Sequence, residues 1–354
     1  MNKPKKITGD AIWTGDSLGG KETLCFDLEP HHLKVIDNAL QTVRQRNLAT
    51  QSVSMQDFDL SAISDDMTRL VNGLKHDRGL LIVRGFPIAK YTIPDMETIF
   101  WGFGLHFGSP VSQSVLGDRL GHVIDATDVD PDARGYRNHD ELSLHTDFAD
   151  VVAFMCMRKA KSGGTSWFSS ALGVHNELLA SDPDLLEILY RGFPWFRSGE
   201  HAYGSESITP WRVPVFSECE GLVSCRYVRD YICEGAAQDG GTTLTENEVQ
   251  AIDAFDRASH REGTPVKFQL EPGEAVFINN LTVLHARTSY TDHDMADEKR
   301  LLLRLWTKMQ NGRPTVPELK IFDGENEHGI PQQSGRTPSF ARRTQRKSIA
   351  EVSR

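Results

Sequence analysis

The feature that most constrains the fold of this chain is a series of short β-rich runs separated by turn-forming residues. These runs are rich in β-branched and aromatic residues and are bounded by Gly, Pro, Asn or Asp. They read LLIVRGFPI, ADVVAFMCMR, GTSWFSS, TPVKFQL, GEAVFINN and RLLLRLWTKM. Few helical patterns lie between them, so a series of βαβ units is disfavoured. The pattern predicts a mainly β protein with helical cover, folded as a jelly roll.

Three parts are expected along the 354 residues. Residues 1–76 are expected to form a helical lead-in packed on the core, because segments 29–47 and 61–79 carry apolar residues at three- and four-residue spacing. Residues 77–310 are expected to form the jelly-roll core. Residues 311–354 are a C-terminal extension that ends in a polar, basic and aperiodic stretch, which is typical of a mobile tail.

Two helices are expected inside the jelly-roll core. The segment DMETIFWGFGLHFG at 95–108 predicts a helix that its glycines interrupt. The segment ALGVHNELLASDPDLLEIL at 171–189 predicts one further helix.

Composition excludes several classes of partner. The formal net charge is −10, from 49 acidic and 39 basic residues, and no basic stripe is interleaved with aromatic residues, so nucleic acid is not an expected partner. No apolar stretch approaches the roughly 20 residues that span a bilayer, so no membrane partner is expected. The five cysteines are scattered and form no CxxC pair, which disfavours disulfides and a structural zinc site. We expect a cytoplasmic protein with a small-molecule substrate, and a homo-oligomer is compatible with the sequence.

Candidate metal ligands lie in two of the β-rich runs. In LSLHTDFADV, His145 and Asp147 are two residues apart, so in a strand their side chains point to the same face. A second histidine, His285, ends an apolar run 140 residues downstream, after Asn279 and Asn280. Two imidazoles and one carboxylate form the facial triad of non-haem iron(II) oxygenases and leave coordination positions open. A structural zinc site would instead be closed, usually by thiolates.

A pair of arginines follows the second histidine. In KRLLLRLW, Arg300 and Arg304 share one face of a strand with Leu302 and Trp306, and the intervening leucines share the other. Guanidinium groups that point into an apolar barrel require anionic partners, and a dicarboxylate cosubstrate is such a partner.

A Gly-Gly turn in KSGGTSW adds two hydroxyl groups to the candidate site. Gly163 and Gly164 allow close backbone approach, and the hydroxyls of Thr165 and Ser166 could bond the same carboxylate. An ordinary hairpin turn would explain this segment alone equally well.

Taken together, these motifs resemble a known family. The order and spacing of HTD at 145–147, GGTS at 163–166, NNLTVLHART at 279–288 and RLLLR at 300–304 resemble the taurine dioxygenase/2,4-dichlorophenoxyacetate dioxygenase family. This family of iron(II)- and 2-oxoglutarate-dependent oxygenases includes clavaminate synthase-like enzymes, and the resemblance covers about residues 77–307. It implies a double-stranded β-helix, that is, a jelly roll with the metal near one mouth.

The resemblance implies roles for individual residues. It implies that His145, Asp147 and His285 bind Fe(II), and that Arg300 binds the distal carboxylate of 2-oxoglutarate, with O2 as the other cosubstrate. It ranks Ser166 above Thr165 as the hydroxyl that assists Arg300. Because the carboxylate ligand is present, halogenation is disfavoured.

The resemblance also places substrate residues at the barrel mouth. Arg304 resembles a second arginine that faces a substrate acid group, and it stays a candidate for the cosubstrate as well. By their place in the pattern, Gln113 and Ser114 are expected to reach the pocket. The segment 193–207 has the composition of a lid, in which Trp195 is a candidate substrate contact or, equally, a core residue.

Three function classes follow from these motifs. The first is a non-haem Fe(II)- and 2-oxoglutarate-dependent dioxygenase that oxidises a C–H bond of a small carboxylate-bearing metabolite, such as an amino acid, and releases succinate and CO2. Hydroxylation, desaturation and oxidative cyclisation all stay open. The second is a zinc-dependent hydrolase on the same residues, which leaves the arginines and the Gly-Gly turn unexplained. The third is a non-catalytic binding jelly roll, which the intact ligand set argues against.

Overall fold

The computed structural model describes residues 3–127, 137–202, 204–237, 243–322 and 324–332. Its helices, in chain order, are α1 (Gly15–Leu18), α2 (Pro30–Gln45), α3 (Ser64–His76), α4 (Ile93–Gly104), α5 (Ala171–Ser181), α6 (Pro183–Arg191), α7 (Arg229–Ala237), α8 (Glu246–His260) and α9 (Glu325–His328). Within the described ranges, no helix is long and apolar enough to cross a bilayer.

The strands are short, as the punctuated sequence predicts. They are β1 (Cys25–Asp27), β2 (Leu80–Arg84), β3 (Ser109–Pro110), β4 (Leu120–Val123), β5 (Leu142–His145), β6 (Val151–Arg158), β7 (Ser162–Gly163), β8 (Ser166–Ser170), β9 (Phe216–Cys219), β10 (Leu222–Cys225), β11 (Val266–Phe268), β12 (Glu274–Asn279), β13 (Val283–Arg287), β14 (Tyr290–Thr291) and β15 (Leu301–Lys308).

Two sheets form the centre of the fold. The larger has the strand order β1-β2-β12-β6-β15-β3, with β4 also paired to β15, and the smaller has the order β11-β8-β13-β5. Within them, β1 and β2 are parallel and the other pairs are antiparallel. Apolar residues of both sheets share one buried cluster that includes Ile82, Val276, Phe168 and Val283. The sheets therefore pack face to face, which is the mainly β core that the sequence predicts.

Helices cover the outer faces of these sheets. Residues of α2, α3 and α4 form a second buried cluster with the outer face of the larger sheet. Residues of α5, α6 and α8 form a third cluster beside the smaller sheet. The predicted helical cover is therefore confirmed.

Strand β15 shows how the sequence sets the two faces of the larger sheet. Leu301, Leu303 and Leu305 pack against the N-terminal helices, whereas Leu302 packs between the sheets. Trp306 belongs to the third cluster, on the side of the smaller sheet. The predicted separation of two faces by a period of two residues is confirmed.

The glycines of the segment 95–108 do not interrupt a helix, contrary to the prediction. Helix α4 runs through Gly102 and ends at Gly104. A Cβ on Gly102 would lie 2.2 Å from the ring of Phe58, and one on Gly104 would lie 2.1 Å from Leu305. These glycines permit close packing, and their cost in helix propensity is offset by burial.

The single helix predicted at 171–189 is two helices, which corrects that prediction. Helix α5 ends at Ser181, and α6 begins at Pro183. Proline has no N–H to donate, so it is favoured in the first turn of a helix and not in its interior. Asp182, between the helices, has a φ of −143° and a ψ of 65°.

The three-part division of the chain stays a prediction. Within the lead-in, β1 joins the edge of the larger sheet, and α2 and α3 pack on that sheet's outer face. In the C-terminal extension, Ile321, Phe322 and Ile330 pack into the third cluster. The mobile tail that the sequence predicts lies outside the described residues.

Candidate active site

A cavity of about 170 Å³ is lined by residues of both sheets, such as Phe154 of β6 and Phe168 of β8. This volume suits a small organic molecule. Its wall contains the candidate metal ligands and both arginines of the sequence pattern, namely His145, Asp147, His285, Arg300 and Arg304. The structure therefore brings together residues that lie up to 159 positions apart in the chain.

Neighbouring strands hold the two histidines side by side. His145 ends β5, and His285 lies in the middle of β13, directly opposite it in the strand register. Their ring centroids are 4.3 Å apart. The Nδ1 atom of His145 lies 2.8 Å from the carbonyl oxygen of Ser143, which favours a proton on Nδ1 and leaves the Nε2 lone pair for a metal.

Asp147 stands on the turn that follows β5, and Asn280 fixes that turn. The side-chain oxygen of Asn280 accepts from the Asp147 N–H at 2.8 Å, and its amide donates to the carbonyls of Asp147 and Ala149 at 2.7 and 2.8 Å. Asn280 is fully buried, so all of these bonds form away from water. The sequence pattern drew attention to Asn280 but assigned it no role.

The carboxylate of Asp147 faces both histidines. Its Oδ1 lies 3.8 Å from His145 Nε2, and its Oδ2 lies 3.4 Å from His285 Nε2. Burial acts to raise the pKa of this carboxyl, but His285, Arg304 and His145 together outweigh it and hold the pKa well below its usual range. The carboxyl of Asp147 is therefore charged at physiological pH, which is the form that can bind a metal ion.

These donors fit a metal ion that keeps open positions. One ligand atom from each of His145, Asp147 and His285 lies within 4.8 Å of the other two. Two neutral imidazoles and one carboxylate suit Fe(II), and no described cysteine joins them to close a structural zinc site.

The guanidinium of Arg300, just before β15, forms no ion pair among the described residues, and the main-chain N–H of Arg300 donates to Asp292 Oδ1 at 2.6 Å. Arg300 is 5% exposed, and its Nη1 atom has no hydrogen-bond partner among those residues. Its guanidinium lies over the ring of Tyr290, 4.8 Å from the centroid. Burial lowers the pKa of Arg300, because its charge is only weakly compensated. Such a group fits an anionic ligand, as 2-oxoglutarate is.

The two candidate hydroxyl residues of the Gly-Gly turn are placed differently. Ser166 begins β8 and lines the cavity together with Arg300. Thr165 is not among the lining residues, and its main chain bonds Thr288, whose hydroxyl accepts from the Thr165 N–H at 3.0 Å. The ranking of Ser166 above Thr165 stays a prediction, which this placement supports.

Arg304, on β15, lines the cavity and is held from behind by Gln113. The Nε of Arg304 donates to Gln113 Oε1 at 2.5 Å, and Gln113 Nε2 donates to the Arg304 carbonyl at 3.0 Å. Gln113 is itself fully buried and is not part of the cavity wall. Ser114 is also buried outside that wall, with its hydroxyl 3.1 Å from Asp118 Oδ2.

The segment 193–207 reaches the cavity at Ser198. Trp195, its candidate substrate contact, is fully buried in the third apolar cluster and lies 6.2 Å, centroid to centroid, from Tyr231. A direct contact of Trp195 with substrate stays a prediction, and it would require the ring to leave the core. Arg197, in the same segment, is buried, and its guanidinium lies over the ring of Trp211.

Sequence reasoning missed the helix that covers the cavity. The first turns of α7 contribute Asp230, Tyr231 and Glu234 to the wall. Arg229 fixes this helix by ion pairs to Asp253 and Asp256 of α8. No local motif marks α7, so only tertiary packing brings it to the site.

Comparison with known proteins identifies the class of this chain. A family model described as "Taurine catabolism dioxygenase TauD, TfdA family" matches residues 44–306. The chain belongs to this family and is a non-haem Fe(II)- and 2-oxoglutarate-dependent dioxygenase that also uses O2. The family resemblance seen in the sequence motifs is thereby confirmed.

Two relatives match over most of their length. FR-33289 synthase of Streptomyces rubellomurinus is 29% identical over 315 residues, which cover 87% of this chain and 92% of the relative. The taurine hydroxylase-like protein SAT17 of Stachybotrys chartarum is 24% identical over 316 residues, which cover 85% and 79%.

Solved structures confirm the jelly-roll fold. An asparagine oxygenase in complex with Fe(II), 2S,3S-3-hydroxyasparagine and succinate aligns with a TM-score of 0.59 and 15% identity, over 80% of this chain and 94% of its own. The non-heme iron oxygenase OrfP in complex with Fe and alpha-ketoglutaric acid aligns with a TM-score of 0.57 and 12% identity, over 80% and 93%.

Proposed function

We propose that this dioxygenase oxidises a C–H bond of a small carboxylate-bearing metabolite, an amino acid being the favoured class. The observation that carries the proposal is the presence of two buried arginines, Arg300 and Arg304, in one cavity with the candidate metal ligands. One arginine suffices for the distal carboxylate of 2-oxoglutarate. The second then offers a site for another anion, which the primary substrate would supply.

His145, Asp147 and His285 are the proposed iron ligands. When bound, Fe(II) with 2-oxoglutarate and O2 supplies the oxidising power and yields succinate and CO2. The protein contributes the three donors, a sheltered cavity and the orientation of the substrate. Hydroxylation, desaturation and oxidative cyclisation need the same ligands, so these ligands do not choose among them.

Arg300 is the proposed anchor of 2-oxoglutarate, assisted by the hydroxyl of Ser166. A guanidinium grips a carboxylate through two parallel charge-assisted hydrogen bonds, which would satisfy the buried Nη1 atom. Thr165 is the second candidate for the assisting hydroxyl.

Arg304 is the proposed anchor of the substrate carboxylate. Gln113 contributes by fixing the Nε edge of this guanidinium, so its proposed role in substrate binding is exerted through Arg304. Ser114 belongs to the same buried segment and is proposed only to support it. Along an ideal strand, Arg304 stands four residues or roughly 13 Å beyond Arg300, which is too far for one small dicarboxylate to satisfy both fully.

The products bound to related folds support an amino-acid substrate. The asparagine oxygenase structure contains 2S,3S-3-hydroxyasparagine, and an OrfP structure contains Fe, succinate and (3S)-hydroxy-L-Arg. Both are hydroxylated amino acids. We infer from this likeness that amino acids are the first substrates to test.

The cosubstrate assignment is tested by anaerobic addition of Fe(II) and 2-oxoglutarate to the apoprotein. We expect a weak visible charge-transfer band, which a zinc hydrolase or an empty jelly roll would not give. The substrate class is tested by succinate release with a library of carboxylates and amino acids, each paired with its neutral amide. Amides that work as well as the free acids would refute recognition of a carboxylate.

The two arginines are separated by parallel variants. Arg304→Ala should weaken substrate binding and uncouple succinate release from product formation, with little change in the 2-oxoglutarate requirement. Arg300→Ala should do the reverse. Tight coupling and a normal substrate requirement in Arg304→Ala would remove the main support for an acidic substrate.

A further inference from the structure

Trp306 contacts both a proposed iron ligand, Asp147, and the proposed substrate anchor, Arg304. Its indole Nε1 lies 3.1 Å from Oδ2 of Asp147, in position to donate a hydrogen bond to a proposed iron ligand. The guanidinium of Arg304 lies over the same indole, 4.9 Å from the ring centroid. Trp306 is 1% exposed, so packing leaves the ring little freedom.

The indole is the only donor to the Asp147 carboxylate, apart from the two histidines, among the described residues. Hydrogen bonds that orient a ligating carboxylate usually contribute strongly to metal affinity. Because the indole N–H can only donate, it favours the charged carboxylate in one orientation. The Asp147 main chain is already fixed by Asn280, so Trp306 supplies the remaining constraint on the side chain.

The second contact constrains the arginine. A cation over an aromatic face is attracted to it, and tryptophan gives the strongest such contact. Gln113 holds the Nε edge of Arg304 while Trp306 supports its face. One rigid indole therefore orients both the carboxylate of Asp147, a proposed iron ligand, and the guanidinium of Arg304.

We propose that Trp306 is a positioning residue that sets a fixed offset between the metal and the substrate carboxylate, and so selects which C–H bond is oxidised. This inference rests on the proposed function, because it uses Asp147 as an iron ligand and Arg304 as the substrate anchor. A substrate held at its carboxylate presents the carbon that lies at the matching distance from it. Loosening the indole therefore changes metal affinity and product distribution together.

The structure provides a matched control in Trp101. This tryptophan is 2% exposed, its Nε1 donates to the carbonyl of Val53 at 3.0 Å, and the guanidinium of Arg119 lies 5.3 Å from its ring. It therefore has the same kinds of contact as Trp306. It packs in the second buried cluster, and it is not among the residues that line the cavity. Trp101→Phe thus reports what the loss of a buried indole does in general.

The experiment measures Co(II) affinity of the apoprotein, thermal unfolding and the ratio of product to succinate in both variants. Trp306→Phe should weaken Co(II) binding by about 10–100-fold and lower the product ratio or shift the oxidised position. Trp101→Phe should lose a comparable amount of thermal stability but keep the wild-type Co(II) affinity and the wild-type ratio of product to succinate.

A second measurement on the wild type follows its six tryptophan indole N–H signals by NMR while Zn(II) is added. The Trp306 signal should move most, and it is assigned by elimination with Trp→Phe variants at the other positions.

Each outcome decides the question. Unchanged Co(II) affinity in Trp306→Phe, equal losses in the two variants, or an unmoved Trp306 signal on Zn(II) binding would overturn the inference. A wild-type protein that binds no metal at all would overturn the proposed function instead.

Discussion

Two buried arginines of this protein, Arg226 and Arg300, differ in their ion pairs. Arg226 is 3% exposed and forms an ion pair with Glu325 at 2.9 Å, and Glu325 itself is fully buried. Arg300 is 5% exposed, and its guanidinium forms no ion pair with a carboxylate among the described residues. We call the surroundings of Arg226 and Glu325 the closed region, because the buried cation there has its own counter-ion. We call the surroundings of Arg300 the open region, because its guanidinium has no counter-ion among the described residues.

The closed region is structural. Glu325 also accepts from the main-chain N–H groups of Ile321 and Phe322 at 2.8 and 3.2 Å, so it fixes the C-terminal segment. Arg226 donates in addition to the carbonyl of Asp147 at 2.5 Å. This network supports the turn that carries Asp147 from outside the cavity, although the Nε atom of Arg226 has no hydrogen-bond partner among the described residues.

The open region fits an anionic ligand, which we propose to be 2-oxoglutarate. Burying the Arg300 guanidinium without a counter-ion costs free energy of folding, and an anionic ligand would recover part of that cost on binding. The difference teaches that burial alone does not distinguish a structural arginine from a binding one. Arg226 has a built-in carboxylate partner, whereas the guanidinium of Arg300, the proposed cosubstrate anchor, has none among the described residues.

The largest expected effect comes from breaking the open region at its metal ligands. His145→Ala, Asp147→Ala and His285→Ala should each abolish turnover, because three donors are the minimum proposed for the iron. The fold should persist, since the apolar clusters do not depend on these side chains. Iron content and circular dichroism of each variant check this. A variant with near-normal iron content and activity would remove that residue from the ligand set.

Arg226→Met tests the closed region. It leaves the Glu325 carboxylate buried without its counter-ion, and breaking a buried pair in this way costs about 3–5 kcal/mol. The free energy of unfolding in urea should fall by that amount. Arg300→Met is the matched control, because the same change there removes an uncompensated charge and should leave the free energy of unfolding unchanged or higher. Equal destabilisation of both variants would show that the two arginines do not differ in this respect.

Arg300→Met should have its main effect on the cosubstrate. Loss of a sheltered bidentate pair costs roughly 2–5 kcal/mol, so the 2-oxoglutarate concentration for half-maximal turnover should rise by one to a few orders of magnitude. Steady-state kinetics with saturating substrate measures this. An unchanged requirement would transfer the cosubstrate role elsewhere, with Arg304 as the first residue to test.

The arrangement of the strand that carries Arg304 could be predicted from the sequence, because side-chain period in a strand is set by covalent geometry. The alternation in RLLLRLW already separates Arg304 and Trp306 from Leu301, Leu303 and Leu305. The spacing of His145 and Asp147 predicts a shared face for the same reason. Their roles as ligands stay predictions that the proximity of His285 supports.

The rest depends on contacts between distant segments. The bond of Trp306 to Asp147 spans 159 positions, and that of Arg226 to Glu325 spans 99. Neither pair carries a local signal, because both are fixed by how the sheets and the C-terminal segment pack. The closely packed Gly102 was misinterpreted for the same reason, since its neighbour Phe58 is remote in sequence.

The smallest expected effect sharpens the description of the open region. Ser166→Ala removes one neutral hydroxyl beside Arg300 and should weaken 2-oxoglutarate binding by about 1 kcal/mol, or roughly fivefold. Thr165→Val removes the other candidate hydroxyl at nearly constant volume, and it should change the binding less because Thr165 is not among the residues lining the cavity. Anaerobic titration of 2-oxoglutarate into the Fe(II)-loaded variants compares the two directly, with Arg300→Met as the reference for full loss of the anchor. A larger effect in Thr165→Val would reverse the ranking and place the assisting hydroxyl on the turn itself, whereas no effect in either variant would leave Arg300 to hold the carboxylate without a hydroxyl partner.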